Sequence, residues 1–114
     1  MVCASAELAP GCMREARLGR APIVVIRTAD GSLHALAGRC LHQGAPLARG
    51  RLLVPPAPAD RVGAYELEGG REVVKCPWHG YEYDVRTGTA AFDGSRRLQR
   101  YRVWDEGGNV VASR

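Results

Sequence analysis

The sequence predicts an all-β domain of small antiparallel sheets, and three observations carry that expectation. Fourteen glycines and seven prolines break the chain every few residues, so no stretch keeps an apolar helical period for the three turns a stable helix needs. Short β-branched or alternating runs recur between the breaks. Glycine-containing turns stand where consecutive runs fold back on each other.

In chain order, residues 13–18 alternate weakly and read as a first strand closed by Gly19. Ile23, Val24, Val25 and Ile26 are β-branched without interruption, the pattern of a strand buried on both faces. Asp30-Gly31 is a hairpin turn, and residues 32–37 return with Leu33 and Ala35 on one face. Gly44, Pro46 and Gly50 make the next stretch a loop rather than a helix. Residues 52–54 are a short apolar segment, and the prolines of Pro55-Pro56-Ala57-Pro58 predict a surface excursion outside any sheet. Three further hairpins are expected: 64–67 with 72–75 around Gly69-Gly70, 81–85 with 89–92 around Arg86-Thr87-Gly88, and 101–105 with 109–112 around Gly107-Gly108. Residues 1–9 read as an N-terminal tail and 10–112 as one domain.

Composition narrows the class. Hydrophobic residues make up 46% and charged residues 25% of the 114, the balance of a soluble globular protein. No apolar run approaches the roughly 18–20 residues of a membrane span. The first residues lack the charged start and apolar core of a secretory signal, so the expectation is a cytoplasmic protein, monomeric in isolation. The net charge of +4 comes from 15 arginines and the single Lys75. No nucleic-acid motif accompanies it and aromatic residues are only 6%, so the charge is read as a match for an acidic protein partner rather than nucleic acid. Arg39, Arg49, Arg51, Arg96, Arg97, Arg100 and Arg102 form the expected basic surface.

Two stretches carry chemistry: Cys40-Leu41-His42 and Cys76-Pro77-Trp78-His79. Each supplies one thiol and one imidazole, and each ends a predicted hairpin strand. Cys3 and Cys12 lie outside both and are read as thiols without a role, and His34 as a structural histidine in a strand. Without a secretory signal, metal binding is favoured over disulfides for Cys40 and Cys76. Zinc accepts two cysteines and two histidines. Zinc loops, however, usually pair like with like, whereas here each loop holds one of each kind. A cluster with two chemically different irons suits that mixture.

Cys40-Leu41-His42-Gln43-Gly44-Ala45-Pro46-Leu47 and Cys76-Pro77-Trp78-His79-Gly80-Tyr81-Glu82-Tyr83-Asp84 resemble the two cluster-binding loops of Rieske proteins. The resemblance spans residues 10–112. It implies the Rieske fold, with small antiparallel sheets and a two-loop cluster-binding subdomain. It further implies one 2Fe–2S cluster per chain, with Cys40 and Cys76 on one iron and His42 and His79 on the other. A disulfide ties the two loops together in respiratory Rieske proteins; its positions here are Ala45 and Trp78, so that bridge is excluded. No further domain with a mononuclear iron follows, and no nucleophile–base set is apparent.

The implied protein is therefore a ferredoxin rather than an enzyme. It would carry electrons from a flavoprotein reductase using NAD(P)H to a terminal oxygenase or similar acceptor. The alternatives are a small subunit of a larger oxidoreductase, such as a nitrite reductase, and a structural zinc module. Family members with high potentials place a Ser and a Tyr where Tyr81 and Tyr83 stand, so one hydroxyl donor to sulfur is expected to be lost and one kept, within a range of roughly −150 to +300 mV. Two departures remain. The gap between the motifs is long and includes residues 55–64, and a proline-bearing loop over the cluster has Phe92-Asp93-Gly94-Ser95 as its nearest equivalent.

Overall fold

The computed structural model describes residues 2–41, 44–53, 72–78, 80–91 and 93–114. Among these there is no α-helix, and the strands form two antiparallel sheets. The larger contains β1 (Cys3–Ala4), β2 (Cys12–Leu18), β3 (Ala21–Arg27), β4 (Leu33–Ala37), β10 (Arg100–Glu106) and β11 (Asn109–Ser113), in the order β1-β11-β10-β4-β3-β2. The smaller contains β5 (Arg51–Leu53), β6 (Val73–Lys75), β7 (Glu82–Asp84), β8 (Thr89–Ala90) and β9 (Asp93–Arg97), in sequence order. The expected all-β architecture is observed. No helix among the described residues is long and apolar enough to cross a membrane.

β3 is the hinge of the packing. Side chains alternate across a strand, and Ile23, Val24, Val25 and Ile26 are all fully buried. Val24 and Ile26 enter a core shared with Val74, Tyr83, Val85 and Leu98 of the smaller sheet and its connections. Ile23 and Val25 enter a second core with Cys3, Leu8, Ala35 and Val110. Each such side chain contributes about 1.5–3 kcal/mol, so this strand alone ties both cores together.

The 28–32 turn joins the sheets. Gly31 adopts φ +89°, and the Asp30 carboxylate accepts hydrogen bonds from the Ser32 N–H at 3.0 Å and from the Thr28 hydroxyl. Its other oxygen pairs with Arg86 at 3.1 Å, and the buried Glu72 carboxylate accepts the Ala29 N–H at 3.1 Å. Arg86 and Glu72 flank the ends of β7 and β6, so the turn is clamped to the smaller sheet from two sides.

Three sequence expectations change. The segment read as a tail is docked: Cys3 pairs with Val110, Leu8 is buried, and the Leu8 carbonyl accepts the Arg27 Nε–H at 2.8 Å. Arg27 is held in turn by Asp105 at 3.1 Å. Isolated apolar residues such as Cys3 and Leu8 carry no period, which is why the docking is invisible in sequence. The stretch read wholly as loop after Gly44 contains one 3₁₀ turn, Leu47–Arg49. β6 pairs with β5 and β7; residues 54–71, with the proline excursion, the expected hairpin arm 64–67 and Gly69-Gly70, lie outside the described residues. Asp93, Gly94 and Ser95, read as the nearest equivalent of a covering loop, belong to the edge strand β9, and Phe92 lies outside the described residues.

Gly50 reports how closely the sheet and the first loop approach: a Cβ there would stand 1.8 Å from the Lys75 carbonyl oxygen. Gly50→Ala should cost about 2–3 kcal/mol by urea denaturation, whereas Gly94→Ala, with nothing within 4 Å, should be near neutral. His34 gives a pH signature. Burial, reinforced by the Arg86 charge, holds its pKa below the usual imidazole value. Below about pH 6.5 the unfolded chain binds a proton that the folded chain resists, so stability falls as pH drops. His34→Gln should shrink the difference in unfolding free energy between about pH 7.5 and pH 5.5.

Candidate metal centre

The two cysteine loops have the same backbone construction. Arg39 pairs with Pro46 across the first and Lys75 with Glu82 across the second, so residues 40–45 and 76–81 are closed loops of equal length. In the first, the Cys40 N–H donates to the Ala45 carbonyl at 2.9 Å and the Gly44 N–H donates to the Cys40 carbonyl at 2.9 Å. In the second, the Cys76 N–H donates to the Tyr81 carbonyl at 2.7 Å and the Gly80 N–H donates to the Cys76 carbonyl at 3.2 Å. Gly44 and Gly80 have φ of +73° and +72°, a conformation that other residues adopt only with strain. The sequence signal was the shared Cys-x-x-x-Gly spacing.

This construction sends both cysteines inward. Cys40 and Cys76 are buried in the same core, with Ala45, Leu47, Val74 and Tyr83. The tips turn outward, and Leu41 and Trp78 are exposed by 36% and 57%. Ala45, fully buried, and Trp78, exposed, carry no thiol, so these positions supply no loop-to-loop disulfide. His42 and His79, the other two expected ligands, lie outside the described residues. Cys3 belongs to the second core and Cys12 is exposed at the start of β2; neither is in the loops.

Tyr83, fully buried on β7, aims its hydroxyl into the first loop. The Leu41 N–H donates to it at 3.0 Å, and the Cys40 Sγ lies 3.2 Å away. A phenol has one proton; with its oxygen accepting from Leu41, that proton is available to a Cys40 thiolate. Burial raises the Tyr83 pKa, and the Cys40 contact and the charges of Cys40 and Cys76 push it the same way. The hydroxyl thus stays protonated and remains a donor. Sequence reasoning named Tyr83 as a donor toward sulfur but missed its second partner, the Leu41 amide, because nothing local in the sequence links positions 41 and 83. Tyr81 packs against the same core.

The basic surface expected from sequence divides. Arg39 reaches Glu15 at 3.6 Å. Arg100 and Arg102 lie around an opening with His34, Arg86 and Arg114. Arg96 and Arg97 are exposed on β9, while Arg49 and Arg51 line a crevice beside Cys76.

Two buried thiols from matched loops and a protonated phenol beside one of them fit a metal–sulfur group, whose thiolates need donors to spread their charge. Comparison with known proteins agrees. Residues 1–102 match the Rieske [2Fe-2S] domain. The chain is 33% identical over 91 residues to ferredoxin CarAc of Metapseudomonas resinovorans, covering 79% of this chain and 68% of that protein. It is 34% identical over 103 residues to human apoptosis-inducing factor 3, covering 90% of this chain; the chain spans 14% of that relative's length. Among solved structures, a complex of reduced oxygenase and oxidized ferredoxin in carbazole 1,9a-dioxygenase gives a TM-score of 0.72 at 30% identity, with 98% of each chain covered. An NADH-dependent nitrite reductase small subunit from Mycobacterium tuberculosis shares the fold, with a TM-score of 0.76 at 21% identity over 96% of this chain and 88% of that one.

The chain belongs to the Rieske [2Fe-2S] domain family. Its cofactor is a 2Fe–2S cluster, in place of the zinc alternative.

Removing the Tyr83 hydroxyl takes a donor from Cys40 and an acceptor from the Leu41 amide. Tyr83→Phe should therefore lower the midpoint potential in voltammetry, since a donor to sulfur stabilises the reduced, more negative state. It should also cost about 1–3 kcal/mol of stability for the orphaned amide.

Proposed function

We propose that this protein is the ferredoxin of an oxygenase system, taking one electron at a time from an NAD(P)H-dependent flavoprotein reductase and delivering it to a terminal oxygenase. Cys40 and Cys76 supply thiolates to one iron of the cluster, and His42 and His79 supply imidazoles to the other. The observation that carries this reading is the matched pair of loops. Identical backbone locks bury one cysteine each in a common core while the loop tips face outward, as a group that must exchange electrons with another protein requires. The relation to CarAc, and to the ferredoxin-containing carbazole dioxygenase complex at 30% identity, favours an oxygenase acceptor.

A second reading, a small electron-transfer subunit of a larger oxidoreductase, draws on the nitrite reductase small subunit with the same fold. At 21% identity that likeness concerns the fold alone. The human relative, of which this chain matches 14%, is a case of a Rieske segment within a longer protein.

The ligand set is tested by substitution. Alanine at Cys40, His42, Cys76 or His79 should abolish the Rieske electron paramagnetic resonance signal and the red-brown colour. Cys3→Ala, Cys12→Ala and His34→Gln should keep both. The carrier role is tested by reconstitution with NADH, a flavoprotein reductase and an oxygenase: product formation should require this protein and fail with the Cys76→Ala variant. Co-purification as a fixed stoichiometric subunit of a larger metalloprotein would favour the second reading instead.

A further inference from the structure

Beside the second loop lies a crevice of about 330 Å³ lined by Arg49, Arg51, Lys75, Cys76, Pro77 and Gly80. Three cationic residues line it, and among the described residues its lining contains no carboxylate. Two of them stand in an unfavourable relation: Arg51 and Lys75 are direct cross-strand partners in the β5–β6 ladder, where like charges destabilise the pairing. Glu82, the register partner of Lys75 on β7, is an opposite charge on its other side, but the two make no ion pair. Among the described residues, Arg49, Arg51 and Lys75 make no ion pair.

The site is built rather than incidental. The missing side chain of Gly80 leaves room for Lys75, whose Cε would stand 3.1 Å from a Cβ at that position. Gly50 lets the chain between Arg49 and Arg51 press against the Lys75 carbonyl. Like charges brought together in this way, with no ion pair among the described residues, point to an acidic partner from outside.

We propose that this crevice seats carboxylate side chains of an acidic redox-partner protein, docking it against the exposed Leu41 and Trp78 at the loop tips. The inference rests on the electron-carrier reading and adds the partner's charge and point of entry. Apolar tips flanked by a charged pocket have the composition of a docking surface with a dry centre and a polar rim, and three cations steer an acidic surface to it. Because Cys76 lines the same crevice, negative charge seated there opposes the extra electron of the reduced protein. Docking and reduction are therefore reciprocally linked: the oxidised form binds the acidic group more tightly, and occupancy lowers the midpoint potential. A tenfold difference in affinity between the two forms corresponds to about 59 mV.

The test uses the cluster-loaded protein and hexaglutamate as the acidic probe, at low ionic strength. Binding by calorimetry should weaken about tenfold in the Arg49→Gln/Arg51→Gln double variant. It should be unchanged in Arg102→Gln/Arg114→Gln, which removes equal charge from the other opening. Saturating hexaglutamate should lower the midpoint potential of the wild type, and the Arg49→Gln/Arg51→Gln variant should need about tenfold more of it for the same shift. Equal weakening in both double variants would overturn the proposal in favour of diffuse net charge. A potential that does not move at saturation would also overturn it. Tighter binding of an oligothymidylate of equal charge, with the same dependence on Arg49 and Arg51, would reassign the crevice to nucleic acid. Failure of the protein to accept electrons would refute the carrier reading, whereas lost selectivity with a normal cluster signal would refute the crevice alone.

Discussion

The structure depends on one backbone device used twice. In each loop a cysteine N–H donates to the carbonyl five residues on, and its carbonyl accepts the N–H of a glycine four residues on. That ring of bonds closes only if Gly44 and Gly80 adopt positive φ, which makes both positions intolerant of side chains. It satisfies backbone groups that burial would otherwise strand, and so allows both thiols to lie inside a core. Pre-organised thiols reduce the rearrangement that accompanies gain or loss of an electron, the property an electron carrier needs most.

The remainder of the chain holds the two loops in register. β3 serves both cores at once because its side chains alternate, so the smaller sheet, with few and short strands, borrows its foundation from the larger. The 28–32 turn adds polar fastening through the Asp30–Arg86 pair and the Glu72 carboxylate on the Ala29 amide. Tyr83 performs the corresponding task inside the site. Its ring fills the shared core while its hydroxyl bridges the Leu41 amide and the Cys40 sulfur. One side chain thereby couples packing, loop position and sulfur electrostatics.

Much of this was legible in the sequence, for definable reasons. The strand at residues 23–26, the turns at Gly31 and Gly107-Gly108, and the loops beginning at Cys40 and Cys76 all rest on local patterns of β-branching, glycine and motif spacing. What escaped reading was non-local. The docking of Cys3 and Leu8 and the β5–β6 pairing across the long gap depend on partners far away in the chain, and the edge strand Asp93–Arg97, though paired locally with β8, carries no β-branched or alternating apolar run to announce it. The arginines illustrate the same limit. Their number predicted a basic surface, but only the fold separates Arg39, neutralised by Glu15, from Arg49 and Arg51, which face Lys75 across a crevice.

In the proposed ligand set, Cys40 and Cys76 give thiolates to one iron and His42 and His79 give imidazoles to the other, one of each kind from each loop. The most direct measurement is pulsed electron–nuclear resonance on the reduced protein grown with ¹⁵N-histidine. The account predicts strong couplings from two directly bound nitrogens, both attributable to histidine. A cluster signal without histidine nitrogen in its coordination sphere would contradict it.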